Sequence, residues 1–494
     1  MTIRYICTVI RTLAVIAIFL IPCPCLADTV EPAGAPARQP RKDCTHTYVF
    51  RNDRSIHRLD PDVPVGHTNL LLDVNMLGME NGDSLRIPLE TVDSVVFRTV
   101  DVPWIRIDLP DNPDMEQLVE KDTYLNGLIS LKGNGYVDDF GPWPMKIKGR
   151  GNSTWDAPKK PYRVKFDRKV AMGGFGKMKN YVFLANYYDG TAVKNELALW
   201  LGRRIGVRFP NHTLPCELWF NGRYKGLYQI TEKIGISGAS VDIDEETGML
   251  FELSTEFDEP YQFRSAVYDL PVMVKDPDLE EICGDNPDLG TPEEYLSLWQ
   301  ADWNRAESLV AEGRAFEAFD LDSFVDYFLL YNVVGNREIG WPKSLYVHKR
   351  EIGEGCRYEF GPAWDFDICM NTKQVFDDVV VIKAPDLPMW LNPMFEVLVE
   401  YDEFRKAYRK KVEWFVEEVY PEMVAYLDSF TDFIEPAARL NGPLWPGHKN
   451  WVMVDDTRDL RDNVAEIKEW LALRIPFLLA EYLSPPSLQR TSGK

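Results

Sequence analysis

The stretch that most restricts how this chain can fold is Gly361-Pro-Ala-Trp-Asp-Phe-Asp-Ile-Cys-Met-Asn371, which sets two carboxylates, Asp365 and Asp367, beside Trp364 and Phe366. The aromatic residues draw the stretch into a core; the acids resist going there. Read as a strand end, its residues i and i+2 face one side, so Asp365 and Asp367 point together while Trp364 and Phe366 anchor the other face. Two like charges held that close repel, and burying either one unpartnered costs several kcal/mol. A divalent cation removes the conflict. Mg²⁺ takes hard oxygen ligands and commonly a polyphosphate as well, so the pair points to a metal site serving phosphoryl chemistry. The plainer alternative has one aspartate capping a turn and the other in solvent.

At 494 residues the chain exceeds one ordinary core and implies two or three domains, or one large domain with insertions. Its 77 acidic against 55 basic residues, a net charge of -22, argue against a nucleic-acid binder, which needs a basic footprint. A phosphate-bearing ligand would have to be met by a local basic patch. Residues 1–27 read as an export signal: Arg4 and Arg11 precede the apolar run Leu13 to Ile21, with cleavage after Ala27, lipidation at Cys23 or Cys25, or an uncleaved anchor as the outcomes. Export makes the mature chain secreted, periplasmic or tethered at the cell surface. Residues 28–46 follow as a Pro- and Ala-rich linker. Short β-type runs then predict a small all-β module over 47–103. Beyond the leader, Cys44, Cys216, Cys283, Cys356 and Cys369 lack CxxC spacing, which argues against zinc and permits one or two disulfides. The six histidines form no hydrolase arrangement and no HExxH.

From Trp104 the alternation strengthens. Trp104 to Leu109, Leu128 to Leu131 and Pro144 to Lys148 read as strands, the last running into Gly149-Arg-Gly-Asn-Ser-Thr-Trp155. Glycines there let a backbone approach a phosphate closely, with Arg150 adding charge, although glycines in a turn more often just make the turn. Lys159-Lys-Pro-Tyr-Arg-Val-Lys-Phe166 follows as a basic strand with Arg163 and Lys165 on one face and Tyr162, Val164 and Phe166 on the other. A strand from Asn180, a helix over 193–205 capped by Asp189 or Thr191, and a hairpin about Asn221-Gly222 complete the series. Later come a buried helix over 322–334 and amphipathic helices over 393–419, 423–440 and 456–483, the last capped by Asp456 or Thr457, then a tail from 485 to 494.

Taken in order, Lys148-Gly-Arg-Gly-Asn-Ser-Thr-Trp155, Lys159 to Phe166, Leu184-Ala-Asn-Tyr-Tyr-Asp189 with Lys194-Asn195, Gly226-Leu-Tyr-Gln-Ile-Thr-Glu232, Gly335-Asn336 and Trp364-Asp-Phe-Asp367 resemble the CotH kinase family, named for spore coat protein H. The resemblance covers roughly residues 104–484. It implies an α+β, two-lobed atypical protein-kinase-like fold with a β-rich small lobe (about 104–255) and a helical large lobe (about 256–484). It also implies ATP, Mg²⁺ or Mn²⁺, and transfer of phosphate to Ser or Thr of an exported protein. By similarity Lys165 would hold the nucleotide phosphates with Arg150 over them, Glu196 would pair with Lys165, and Glu232 would meet the nucleotide at a hinge. Asp365 would bind the metal, with Asp367 and Asn336 beside it.

The catalytic segment departs from the family pattern. In Gly335-Asn-Arg-Glu-Ile-Gly-Trp-Pro-Lys-Ser344, Glu338 stands where the family has an aspartate base, and Lys343 or Ser344 replaces a second amide. A side chain one methylene longer still accepts a proton, but about 1 Å of misplacement can cost on the order of 10²-fold in rate. Two function classes follow: an exported protein kinase, or a degenerate kinase-like fold acting as a surface adhesin or scaffold. Nucleotidyl transfer would use much of the same residue set.

Overall fold

The computed structural model describes residues 45–51, 56–59, 66–70, 73–80, 83–88, 91–99, 102–370, 373–376, 379–382, 384–386, 388–445 and 460–483. The expected leader, most of the linker, the C-terminal tail and the cap at Asp456 or Thr457 lie outside these residues. Strands β1 (Thr45–Arg51), β2 (Ile56–Leu59), β3 (Gly66–Leu70), β4 (Asp73–Glu80), β5 (Asp83–Pro88) and β6 (Val92–Thr99) come first. They form two three-stranded sheets, β2-β1-β6 and β3-β4-β5. Residues 45 and 46, expected in the linker, already belong to β1.

Alternation of apolar residues from Trp104 onward gives β7 (Trp104–Asp108), β8 (Leu125–Lys132), β9 (Phe140–Gly149), β10 (Tyr162–Val170) and β11 (Met178–Leu184). The Asn-Gly hairpin gives β12 (Thr213–Phe220) and β13 (Arg223–Glu232). Asn221 and Gly222 take the positive φ of 48° and 75° that a tight hairpin turn demands. These seven strands close into a barrel, β10-β11-β13-β12-β7-β8-β9. Closure depends on a parallel pairing of β12 with β7, Glu217 opposite Trp104 through Phe220 opposite Ile107. The inward set, including Ile105, Ile107, Ile129, Val164, Phe166, Phe183 and Leu218, packs as one buried cluster.

A five-stranded sheet, β15-β16-β14-β17-β18, is made of β14 (Met249–Leu253), β15 (Gln262–Arg264), β16 (Pro271–Asp276), β17 (Leu345–Lys349) and β18 (Glu359–Phe360). It shares one large core with helices α1 (Lys194–Ile205), α2 (Pro292–Ala311), α3 (Leu321–Val334), α4 (Asp402–Trp414), α5 (Tyr420–Ala438) and α6 (Leu460–Leu483). Helix α3 is buried nearly all round, as its unbroken apolar composition requires. Helix α2 begins with a full capping box between Thr291 and Glu294. The acidic stretch after Asp276 is helical over Leu279–Asp285, where Asp278 accepts from the amides of Glu280 and Glu281. Among the described residues, Cys216, Cys283, Cys356 and Cys369 form no disulfide with one another. Among the described residues no helix is long and apolar enough to cross a membrane.

His348, on β17, is fully buried against the Phe209 ring, and its Nδ1 donates to the Gly361 carbonyl at 3.0 Å. Burial pushes its pKa from 6.5 down to about 4, with the cations Arg350 and Arg208 acting in the same direction and Glu359 and the Gly361 carbonyl against it. The unfolded chain takes up the proton first as pH falls, so stability is lost progressively between about pH 6.5 and pH 4. The loss amounts to on the order of 3 kcal/mol once both states are protonated. His348→Asn, which keeps a donor for Gly361, is expected to flatten the fall in thermal midpoint between pH 7 and 4.5 relative to wild type; parallel curves would refute the assignment.

Candidate functional site

Three turns, the end of β11 and strands β14, β16 and β17 converge on one cavity of about 270 Å³. The first turn follows β9. Gly149 lies so close to the Trp155 ring that an added Cβ would sit 2.4 Å from it, and Gly151 has φ 84°, so both glycines are needed to turn the chain and present Arg150. The Arg150 guanidinium lies 5.7 Å from the centre of the Trp364 ring. Burial lowers its pKa, opposed by Asp365, Tyr346, Asp367 and Glu252, which therefore surround it with negative or polarisable oxygen. The guanidinium stays charged.

The second turn carries Asp365 and Asp367. It is no strand end: residues 361–366 have no regular secondary structure, and Asp365 takes φ 68°. The side chains nevertheless meet, with the two carboxyl groups within hydrogen-bonding reach of one another. Phe366 is fully buried and Trp364 nearly so, as the sequence required. Burial raises the Asp367 pKa well above the usual carboxylate range, and Asp365 and Asp189 raise it further, with Lys194 opposing. Two side-chain amides fix this turn. Asn336 Nδ2 donates to the Asp365 carbonyl at 2.9 Å, and Asn195 Oδ1 accepts from the Phe366 amide at 2.9 Å. Asn195 stands in the first turn of α1, whose N-terminus is held by Asp189 accepting from the Lys194 amide at 2.9 Å.

The third turn is the segment after α3. Gly335 ends the helix in the left-handed region, and Asn336 Oδ1 accepts from the Glu338 amide at 3.0 Å. Glu338, Lys343 and Ser344 line the cavity. Lys343 pairs with Glu256 at 2.6 Å and also feels Glu338 and Asp365. From the sheet, Lys275 bridges Glu252 at 2.9 Å and Glu259 at 2.8 Å.

Of the residues expected at a site, Arg150, Glu338, Asp365 and Asp367 come together on this cavity wall, and Asn336 stands behind it with both ends of its amide holding backbone. Three do not join them. Lys165 is exposed on the outer face of the barrel, opposite Lys146 and Asn180, because Val164 and Phe166 point into the barrel interior. Glu196 binds Arg203 at 2.8 Å and the Tyr426 hydroxyl at 2.6 Å instead of Lys165. Glu232 accepts from the His212 amide at 2.9 Å and contacts His212 Nδ1 at 2.8 Å, and it is not among the lining residues. Sequence reasoning missed Glu252, Glu256 and Lys275. A charged residue inside each of the apolar runs Met249–Leu253 and Pro271–Asp276 was the available signal.

The cavity wall carries seven carboxylates, Glu252, Glu256, Asp258, Glu259, Glu338, Asp365 and Asp367, against the three cations Arg150, Lys275 and Lys343. Among the described residues, no group of three or more His, Cys, Asp or Glu side chains is gathered tightly enough to hold a metal ion alone. The Asp365–Asp367 pair does fit a cation that draws its other ligands from phosphate and water, since such a cation would relieve the burial and repulsion that hold the Asp367 pKa high.

A family model described as CotH kinase protein matches residues 147–478, which includes all three turns. No curated protein matches the chain.

The paired acids are a stability liability with a definite pH signature. With its folded pKa raised, Asp367 destabilises the protein increasingly as pH climbs above the unfolded value of 3.8 toward the folded one. In chelator-treated protein, Asp367→Asn is expected to raise the thermal midpoint more at pH 8 than at pH 5. Equal shifts at both values would mean that the pair does not repel.

Proposed function

The chain belongs to the CotH kinase protein family, and from that premise we propose that it is an exported kinase-like phosphotransferase. In this reading it moves the terminal phosphate of Mg-ATP, or Mn-ATP, to a Ser or Thr hydroxyl of a protein outside the cytoplasm. The observation that carries the reading is the convergence of Arg150, Lys343, Glu338, Asp365 and Asp367 on one cavity. Arg150 and Lys343 offer charge-assisted hydrogen bonds to phosphate oxygens. Glu338 accepts the hydroxyl proton as the phosphorus–oxygen bond to the acceptor forms and the bond to the departing diphosphate breaks. Asp365 and Asp367 would hold a divalent cation, which neutralises charge on the phosphates when bound. Arg150, kept in place against Trp364, takes the phosphate-binding part first expected of Lys165.

The excess of carboxylates on the wall makes the cation requirement strict, because a polyphosphate entering alone is repelled. A thermal-shift series on the chain lacking residues 1–27 is therefore expected to show little effect of ATP alone. ATP with Mg²⁺ at about 100 times its dissociation constant should add about 2.7 kcal/mol of stability, and Asp365→Ala should abolish that gain. Glu338→Gln is expected to keep the shift while losing roughly 10² to 10⁴-fold in phosphate transfer. Full transfer by Glu338→Gln would remove Glu338 as the base.

A second reading, a degenerate fold serving as adhesin or scaffold, is favoured by the commitment of the Asn336 amide to backbone and by Lys165 facing away from the cavity. Absence of any shift with ATP and either metal, in wild type and Asp365→Ala alike, would decide for it.

A further inference from the structure

Large exposed apolar side chains are few among the described residues, and two of them are tryptophans side by side: Trp341 and Trp390 are 58% and 57% exposed, with ring centres 6.0 Å apart. Tryptophan carries the largest apolar surface of any residue, and leaving two of them together in water is the arrangement expected of a binding face. Nor is the pair on a loose loop. Gly340 lets the Trp390 carbonyl lie 2.1 Å from where a Cβ would stand, so the two segments touch backbone to backbone. Buried Asn392 donates to the Ile339 carbonyl at 3.0 Å, fastening the same two segments again. On the cavity side, the Thr255 amide donates to the Pro342 carbonyl at 2.8 Å. The rings are thus held on a fixed ledge.

That ledge is continuous with the proposed active site. Trp341 stands three residues after Glu338 and two before Lys343, both of which line the cavity. Three residues reach at most roughly 11 Å even when fully extended. We infer that Trp341 and Trp390 form an acceptor-docking ledge, which takes an aromatic or aliphatic side chain of an extended polypeptide whose hydroxyl residue enters the cavity. At about 3.4 Å per residue, that side chain falls within about four residues of the acceptor Ser or Thr. The seven carboxylates facing three cations on the cavity wall make Lys or Arg the compatible flanking residues and disfavour Asp or Glu. The acceptor role rests on the phosphotransferase reading; the docking itself is measurable without it.

The test uses fluorescein-labelled peptides with one Ser in an Ala/Lys background and a single Phe walked from five residues before the Ser to five after. Anisotropy with the chain lacking residues 1–27 is expected to show at least tenfold tighter binding at one or two Phe positions within four residues of the Ser. Trp341→Ala and Trp390→Ala should each reduce those peptides to the level of the Phe-free control, and Trp341→Phe should retain the preference, which separates docking from misfolding. If phosphate transfer is detected, the alanine variants should raise KM for the preferred peptide and leave kcat unchanged. Positional preference without any nucleotide-dependent thermal shift would keep the ledge and refute the kinase reading. No positional preference, or a preference that survives Trp341→Ala/Trp390→Ala, would overturn the ledge. So would concentration-dependent dimerisation in sedimentation that the double variant abolishes, which would make this face a contact between copies of the chain.

Discussion

Everything at the cavity depends on two acids that the fold forces together. Asp365 and Asp367 could reach water if the 361–370 segment were free to turn, but buried Phe366 and Trp364 pin it from within. A pair of like charges in that position is unfavourable, and the protein surrounds it with particular compensation: Arg150 across the cavity, Lys343 on the neighbouring segment, and Lys194 behind Asp367. Each of these cations sits on a different piece of chain. Solving one electrostatic problem thus ties the end of a barrel strand, the start of a helix and the segment after α3 to one point.

The barrel contributes rigidity more than chemistry. Because it is closed, its inward side chains are wholly occupied with packing, and its only routes into the cavity are strand ends. Arg150 leaves the end of β9, while Leu184, Ala185 and Asn186 leave the end of β11. This explains the position of Lys165. Its alternation with Val164 and Phe166 was readable, and so was its facing away from the core, but the outside of a closed barrel is mostly solvent at that point.

What could be read from sequence was local. The Asn221-Gly222 hairpin, the alternating strands and the uniformly apolar α3 each announce themselves within about ten residues, because backbone propensity and side-chain period act over that range. Barrel closure could not be read, since it pairs Glu217 with Trp104 in parallel and no short-range pattern encodes such a pairing. The Glu196 assignment failed for a related reason. A carboxylate in the first turn of a helix can swing to several partners, and here Arg203, two turns later, and Tyr426 on α5 claim it. The extended geometry expected at Asp365 gave way to a left-handed kink, yet the conclusion drawn from it, that the two acids meet, survived because burial of their aromatic neighbours forces the same result.

Amides, more than ion pairs, do the positioning around the cavity, and the charge balance gives the reason. On a wall this rich in carboxylates, each Lys or Arg is surrounded by competing partners, and a charged tether would be drawn toward whichever acid was nearest. A neutral amide is directional and indifferent to net charge. Asn336 joins the Asp365 turn to the Glu338 turn, Asn195 joins the Asp367 turn to α1, and Asn392 joins the tryptophan ledge to the Glu338 segment. Asn195 is itself oriented by Asn186, which is held in turn by Gln229 of β13. A chain of neutral hydrogen bonds thus runs from the barrel to the paired acids, so a charge entering or leaving the cavity can alter the cations there without releasing the backbone that presents them.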